Sequence, residues 1–185
     1  MKTKLFAFTL ALLSSGILTA QTAPEPADKI LAAAIKQAAA EKKNVMIVFH
    51  ASWCGWCKKF EASVTDPSCK DYFDRSFVIK SLTILENGDM KKLENPGAKE
   101  LYDNNGGKDG IPYFLIFDKT GKFLANSKMK AAGSGADAKE SNIGCPASKE
   151  EVAFFIEILK KTSKISEKEI AAVTARFRQN EGNAH

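Results

Sequence analysis

The chain has few cysteines, and only one pair of them is close in sequence. Cys54 and Cys57 form a single C-x-x-C motif, whereas Cys69 and Cys145 are isolated and far apart. Structural zinc sites need four ligands, which close pairs of cysteines or histidines usually supply. We therefore expect no metal site and no cofactor. A bridge between Cys69 and Cys145 is an alternative, but we expect two free or buried thiols.

A long apolar run is missing after Ala20, since no later stretch reaches the roughly 18 apolar residues that a membrane helix needs. Residues 1–20 contain Lys2 and Lys4, an apolar run at 5–13 and small residues before Gln21. This pattern is typical of a secretory signal peptide. We expect cleavage after Ala20, with an uncleaved N-terminal anchor as the alternative. The mature protein would then be periplasmic or secreted.

No charge of one sign dominates the chain. Its 27 basic and 22 acidic residues are interleaved and give a formal net charge of +5. No basic cluster contains the aromatic residues expected at a nucleic-acid surface. These features argue against nucleic-acid binding, and we expect a monomer.

The C-x-x-C motif lies between an apolar segment and an amphipathic one. Residues 44–49 predict a buried strand, and a helix is expected from Gly55 to Val64. Cys54 and Cys57 then lie at the helix N-terminus, where unpaired N–H groups and the helix dipole favour a thiolate. We expect Cys54 to be exposed as the attacking thiolate and Cys57 to lie behind it as the resolving cysteine. Thiol-disulfide exchange needs this arrangement.

Two motifs together resemble the thioredoxin superfamily. The first is Trp53-Cys54-Gly55-Trp56-Cys57 after a hydrophobic strand, and the second is Gly110-Ile111-Pro112 before the apolar run 113–117. The similarity covers about residues 28–161. It is strongest to exported bacterial thioredoxin-like proteins, with a WCGWCKK motif and the segment Ile143-Gly144-Cys145-Pro146. The resemblance implies an α/β thioredoxin fold, with a central mixed β-sheet flanked by helices and an extra C-terminal helix.

The resemblance also implies roles for individual residues. Cys54 and Cys57 would be the catalytic cysteines and form the redox-active disulfide. The Ile111–Pro112 peptide would be cis and would face them. The implied substrate-binding residues are Trp53, Gly55, Trp56, Ile111 and Pro112. The implied partners are disulfide-containing exported proteins and a membrane electron donor.

The chain divides into four predicted segments: a signal peptide at 1–20, a linker at 21–27, a thioredoxin-like domain at 28–161 and a C-terminal helical extension at 162–185. Asp28 is positioned to cap the first helix of the domain. Residues 128–142 are small and polar, which predicts a loop. Ser148 and Ser166 each begin a capping-box pattern, so a helix is expected after each of them.

Some positions depart from the superfamily pattern. Val48 stands where thioredoxins place a buried acid that helps to deprotonate the resolving cysteine. Glu61, one turn after Cys57, either substitutes for this acid or is an ordinary exposed helix residue. His50 either shuttles protons or simply packs at the end of its strand.

We expect a thiol-disulfide oxidoreductase acting on exported proteins. The residues between the cysteines, Gly55 and Trp56, are neither the Gly-Pro of reducing thioredoxins nor the Pro-His of strong oxidases, and we expect a reductase or isomerase. Two alternatives stay open. The chain could be a non-catalytic binding or chaperone-like module with a thioredoxin fold, or a dedicated redox partner of one client.

Overall fold

The computed structural model describes residues 23–130, 133 and 137–183. The predicted signal peptide and its cleavage site lie outside these residues. Among the described residues, no helix is both long enough and apolar enough to cross a bilayer.

The described residues form helices and strands in a mixed order along the chain. The helices are α1 (Ala27–Glu41), α2 (Gly55–Val64), α3 (Lys70–Ser76), α4 (Ala98–Asn104), α5 (Lys149–Thr162) and α6 (Glu167–Arg178). The strands are β1 (Asn44–His50), β2 (Phe77–Thr83), β3 (Tyr113–Phe117), β4 (Phe123–Asn126), β5 (Lys128–Lys130) and β6 (Glu140–Asn142). Short 3-10 helices occur at Gly88–Leu93 and Glu181–Asn183.

The main sheet has the strand order β2-β1-β3-β4. β1 is parallel to β2 and antiparallel to β3, and β4 is antiparallel to β3, so the sheet is mixed. β1 is central, and its apolar residues are buried on both faces, as expected for such a strand. The expected α/β fold, with a mixed sheet, flanking helices and an additional C-terminal helix, is confirmed.

Successive residues of β1 face opposite sides of the sheet, because side chains alternate along a strand. Val45, Ile47 and Phe49 belong to the core on the side of α1 and α4. Met46 and Val48 belong to the core on the side of α2, α3, α5 and α6. The strand is therefore packed on both faces directly before the C-x-x-C motif, which gives the motif a rigid support.

The helix α6 is part of the second core. Its Phe177 is fully buried, and the ring centroid lies 5.0 Å from that of Phe155 in α5 and 5.9 Å from that of Phe60 in α2. The Phe60 ring also stacks on Phe114 of β3, at 6.0 Å. The C-terminal extension thus packs through aromatic side chains on the helix that carries the cysteines.

The two predicted capping boxes are present. Ser148 accepts a hydrogen bond from the Glu151 N–H, and Ser166 accepts one from the Glu169 N–H, while each glutamate accepts one in return. The predicted cap by Asp28 is wrong. The first helix begins at Ala27, with Pro26 as its N-cap residue, so Asp28 lies within the first turn.

The segment 128–142, predicted as a loop, contains a β-ribbon. β5 and β6 pair antiparallel, with Lys128 opposite Asn142, in a second two-stranded sheet. The strands are only three residues long, and Met129 is their single apolar residue, so they are too short to show the apolar alternation that predicts a strand. This ribbon places Asn142 beside the Ile111–Pro112 turn.

Candidate active site

The two cysteines of the motif form a disulfide at the start of α2. Cys54 is the N-cap residue, and its sulfur accepts a hydrogen bond from the Cys57 N–H at 3.1 Å. The unpaired N–H groups and the positive end of the helix dipole both stabilise negative charge at this position. On reduction, a thiolate on Cys54 would therefore be favoured over a thiol.

Cys54 is better covered than the sequence suggests. Cys54 is 3% exposed and Cys57 is 6% exposed, whereas the flanking Trp53 and Trp56 are 53% and 40% exposed. The expectation of an exposed Cys54 is wrong for the disulfide form, because Ala51 and Ile111 pack against the pair. The exposed surface of the motif consists largely of indole rings, which offer apolar area to a partner.

The Ile111–Pro112 peptide is cis, as the resemblance implied. The carbonyl oxygen of Ile111 lies 3.7 Å from the Cys54 sulfur. The turn and the motif are thus in contact although they are far apart in the sequence. Among the described residues, the Ile111 N–H has no hydrogen-bond partner.

Tyr102 of α4 holds one side of this turn. Its hydroxyl donates to the Gly110 carbonyl at 3.1 Å and accepts from the Gly110 N–H at 3.2 Å. Gly107 lies against the same ring, where an added Cβ atom would be 2.3 Å from the Tyr102 Cδ2 atom. Only glycine fits there without a shift of the tyrosine.

Asn142 of β6 holds the other side of the turn. Its amide nitrogen donates to the carbonyls of Gly110 at 3.0 Å and Pro112 at 2.9 Å. Its amide oxygen accepts from the Ser127 hydroxyl at 2.7 Å and from the Gly144 N–H at 3.0 Å. A single side chain therefore joins the turn, the ribbon and the segment before α5.

The segment after β2 holds the loop that precedes Cys54. Glu86 is 3% exposed, and its carboxylate accepts hydrogen bonds from the Ser52 N–H at 2.6 Å and the Ser52 hydroxyl at 2.7 Å. The Trp53 indole N–H donates to the Leu85 carbonyl at 2.8 Å. Leu85 has a positive φ of 57°, which is uncommon for a residue with a side chain. Neither Glu86 nor Leu85 belongs to a sequence motif that indicates this role.

A small cavity of about 40 Å³ lies beside Cys57. Val48, His50 and Glu61 line it, so Val48, which stands in the place of the buried acid, meets the two candidate proton-transfer residues at the resolving cysteine. The His50 Nε2 atom lies 3.2 Å from the Thr83 hydroxyl. Burial lowers the pKa of His50, while the nearby carboxylates of Glu61 and Glu86 act in the opposite direction. Glu61 itself is exposed.

Cys69 and Cys145 are free and buried, as expected. Burial raises the pKa of Cys69, and it raises the pKa of Cys145 to about 12. The Asn180 amide donates to the Cys145 sulfur at 3.3 Å. Burial therefore disfavours deprotonation of both thiols at neutral pH.

The comparison with protein families identifies the domain. The sequence profile of the thioredoxin-like domain matches residues 31–131. The chain belongs to this family. The match includes the C-x-x-C motif, the cis-proline turn and β5 of this thioredoxin-like protein.

Two curated relatives are similar to parts of this thioredoxin-like protein. The probable protein disulfide-isomerase ER-60 of Schistosoma mansoni is 28% identical over 106 residues, which are 52% of this chain and 22% of that protein. The thiol:disulfide interchange protein DsbD of Photorhabdus laumondii is 28% identical over 88 residues, which are 47% of this chain and 14% of that protein. The chain thus spans less than a quarter of the length of either relative.

Solved structures of distant sequence also resemble the thioredoxin-like protein. A disulphide isomerase from Xylella fastidiosa Temecula1 is 20% identical, with a TM-score of 0.45, and the match covers 54% of this chain and 72% of that one. The DsbH oxidoreductase is 16% identical, with a TM-score of 0.41, and the match covers 87% of this chain and 94% of that one.

Proposed function

We propose that this thioredoxin-like protein is a thiol-disulfide oxidoreductase that acts on exported proteins, as a reductase or isomerase rather than a strong oxidase. One observation carries the proposal. The Cys54–Cys57 disulfide lies at the N-terminus of α2, and its Cys54 sulfur is 3.7 Å from the carbonyl oxygen of Ile111 in the cis-proline turn. A sulfur that is activated by a helix terminus and lies beside free backbone groups suits attack on a disulfide in an extended polypeptide.

In the reducing direction, the reaction begins with Cys54 as a thiolate and Cys57 as a thiol. The Cys54 sulfur attacks one sulfur of a client disulfide, the client S–S bond breaks, and the departing client thiolate takes up a proton. Cys57 then loses its proton and attacks the Cys54 sulfur of the mixed disulfide. The second client thiolate leaves and is protonated. The client gains two electrons and two protons, and the Cys54–Cys57 disulfide is formed.

The surroundings of Cys57 are suited to the second step. The cavity beside its sulfur is large enough for a water molecule. Val48 stands where thioredoxins have a buried acid, and the ionisable residues that line the cavity are His50 and Glu61. We assign His50 and Glu61 as candidate proton acceptors for Cys57 through that cavity. Glu61 is exposed and can exchange the proton with solvent.

The client would lie over the two exposed indoles and the cis-proline turn. Trp53 and Trp56 supply apolar contact, and Gly55 between them faces open space, since an added Cβ there would meet no atom within 4 Å. The Ile111 N–H and carbonyl can pair with an extended client strand, in the manner of strand addition. This surface is the proposed substrate-binding site.

Export and electron supply belong to the same proposal. The basic and apolar pattern of residues 1–20 supports a signal peptide that is removed after Ala20. The two curated relatives are a probable disulfide-isomerase and a thiol:disulfide interchange protein, which supports the class of reaction. In an oxidising compartment the Cys54–Cys57 disulfide needs a reductant, and we propose a membrane electron donor.

The test is the reduction of insulin by dithiothreitol, followed by turbidity, with the wild type and with Cys54→Ser. We expect acceleration by the wild type and none by the variant. Equal rates would favour the alternative of a non-catalytic binding module. The reduction potential of the couple in a glutathione buffer then tests the direction. A value near −270 mV supports a reductase, and one near −120 mV would contradict it.

A further inference from the structure

The backbone around Ile111 is bonded on both sides. The Gly110 N–H and carbonyl bind the Tyr102 hydroxyl, and the carbonyls of Gly110 and Pro112 accept from the Asn142 amide. Pro112 has no N–H to offer. Among the described residues, the Ile111 N–H and carbonyl are therefore the backbone groups of this turn that remain available to a partner.

We propose that Asn142 is a positioning residue that fixes the Ile111 backbone for pairing with a client strand. The inference deepens the proposed function and rests on it. Asn142 does not touch the sulfurs, and it acts through the two carbonyls that flank Ile111.

The orientation of the Asn142 amide is fixed by its own partners. Its oxygen accepts from the Ser127 hydroxyl, and that hydroxyl accepts in turn from the Phe114 N–H of β3 at 3.2 Å. Ser127 is fully buried, so its hydroxyl cannot exchange these partners for water. The network therefore directs both amide N–H groups of Asn142 towards the turn.

The position of Asn142 on the ribbon explains why its side chain contacts the Ile111–Pro112 turn. Asn142 pairs with Lys128 across the ribbon, and the Ile143 N–H donates to the Ser127 carbonyl at 2.9 Å. The ribbon is thus attached to the end of β4 at the level of the turn. A displacement of the ribbon would withdraw both donors from the turn together, since one side chain carries them.

The test uses Asn142→Asp, which keeps the size and the acceptor oxygen but replaces the donating nitrogen by an oxygen. An oxygen facing two carbonyls repels them. Asn142→Ala removes both donors without adding charge, and it serves where Asn142→Asp does not fold. Ser141→Ala is the matched control, because Ser141 is the exposed neighbour on the same strand.

Two substrates distinguish a loss of client positioning from a general loss of activity at the cysteines. Insulin presents an extended polypeptide, whereas 5,5′-dithiobis(2-nitrobenzoic acid) is a small disulfide without a peptide backbone. We expect kcat/KM for insulin to fall about tenfold in both Asn142 variants, mainly through KM, as for the loss of about one hydrogen bond in binding. The rate with the small disulfide and the reduction potential of the couple should stay at the wild-type values, and Ser141→Ala should match the wild type throughout.

Equal losses on the two substrates, or an unchanged KM for insulin in both variants, would overturn the role of Asn142 and leave the proposed function standing. A wild type that reduces the small disulfide but not insulin would overturn both proposals, because no client would then use the turn.

Discussion

The carboxylate of Glu86 accepts both the N–H and the hydroxyl of Ser52, and Ser52 lies two residues before the reactive Cys54. A buried carboxylate is stable only when its oxygens have hydrogen-bond partners, and these two bonds supply them. The residue is 34 positions away in sequence from the loop that it holds. Glu86, in the segment after β2, thus fixes the loop that leads into Cys54.

Glu86→Ala should destabilise the protein, because the Ser52 N–H and hydroxyl lose a charged acceptor. Hydrogen bonds to charged groups contribute about 1.5–3 kcal/mol, so we expect a loss of this size in the free energy of unfolding measured with urea. Glu86→Gln should cost less, since its amide oxygen can still accept from Ser52. Glu100→Ala, the same change at an exposed position of α4, is the control. Equal losses for Glu86→Ala and Glu100→Ala would contradict this account.

His50 should make the stability depend on pH. Burial lowers its pKa below the ordinary value of 6.5, so the unfolded chain binds a proton at a higher pH than the folded protein does. Stability is therefore greatest above pH 6.5 and falls as the pH decreases towards the folded-state pKa. His50→Gln should flatten this slope in urea titrations between pH 5 and pH 7, roughly the range in which histidine titrates. A slope unchanged by the substitution would show that other groups cause it.

The four cysteines should differ widely in reactivity after reduction. Cys54 has the helix N-terminus to stabilise its thiolate, whereas burial raises the pKa of Cys69 and that of Cys145. With iodoacetamide at pH 7, mass spectrometry should find Cys54 modified first. Cys69 and Cys145 should react only after unfolding in urea. Rapid modification of Cys145 in the folded protein would contradict the buried environment assigned to it.

Phe177→Ala should be strongly destabilising, although α6 lies outside the part of the chain that matches the family profile. The ring is fully buried between Phe60 and Phe155. Removing a buried phenylalanine costs about 3–5 kcal/mol through lost contacts and the cavity that remains. Phe123→Ala, which removes an exposed ring from β4, is the matched control and should cost much less. Comparable losses in urea unfolding would show that α6 adds little to the core.

The parts of the fold that depend on local sequence could be predicted. The bounds of α2, at Gly55 and Val64, follow from the motif and the helical spacing after it. The capping boxes at Ser148 and Ser166 could be predicted because each joins a serine to a glutamate only three positions later. The cis peptide at Pro112 is predicted only by the family resemblance, because the local residues do not determine it.

The parts of the site that depend on distant contacts could not be predicted. Glu86 reaches Ser52 across 34 positions, and Asn142 reaches Pro112 across 30. Neither residue belongs to a motif, and polar residues in such segments are usually solvated. The ribbon that carries Asn142 lacks an apolar pattern, so its sequence is typical of a loop.

The aromatic cluster also has a consequence for biosynthesis. It combines Phe60, in the first third of the chain, with Phe177, more than 100 residues later. Until α6 has left the ribosome, the apolar side chains of α2 and α5 that pack against Phe177 stay exposed. A chaperone that binds unfolded chains can bind this apolar surface. We expect ribosome-bound chains halted before Phe177 to be digested quickly by thermolysin, and chains halted well after it to resist. Equal resistance of the shorter and longer chains to thermolysin would show that α2 is stably packed without α6.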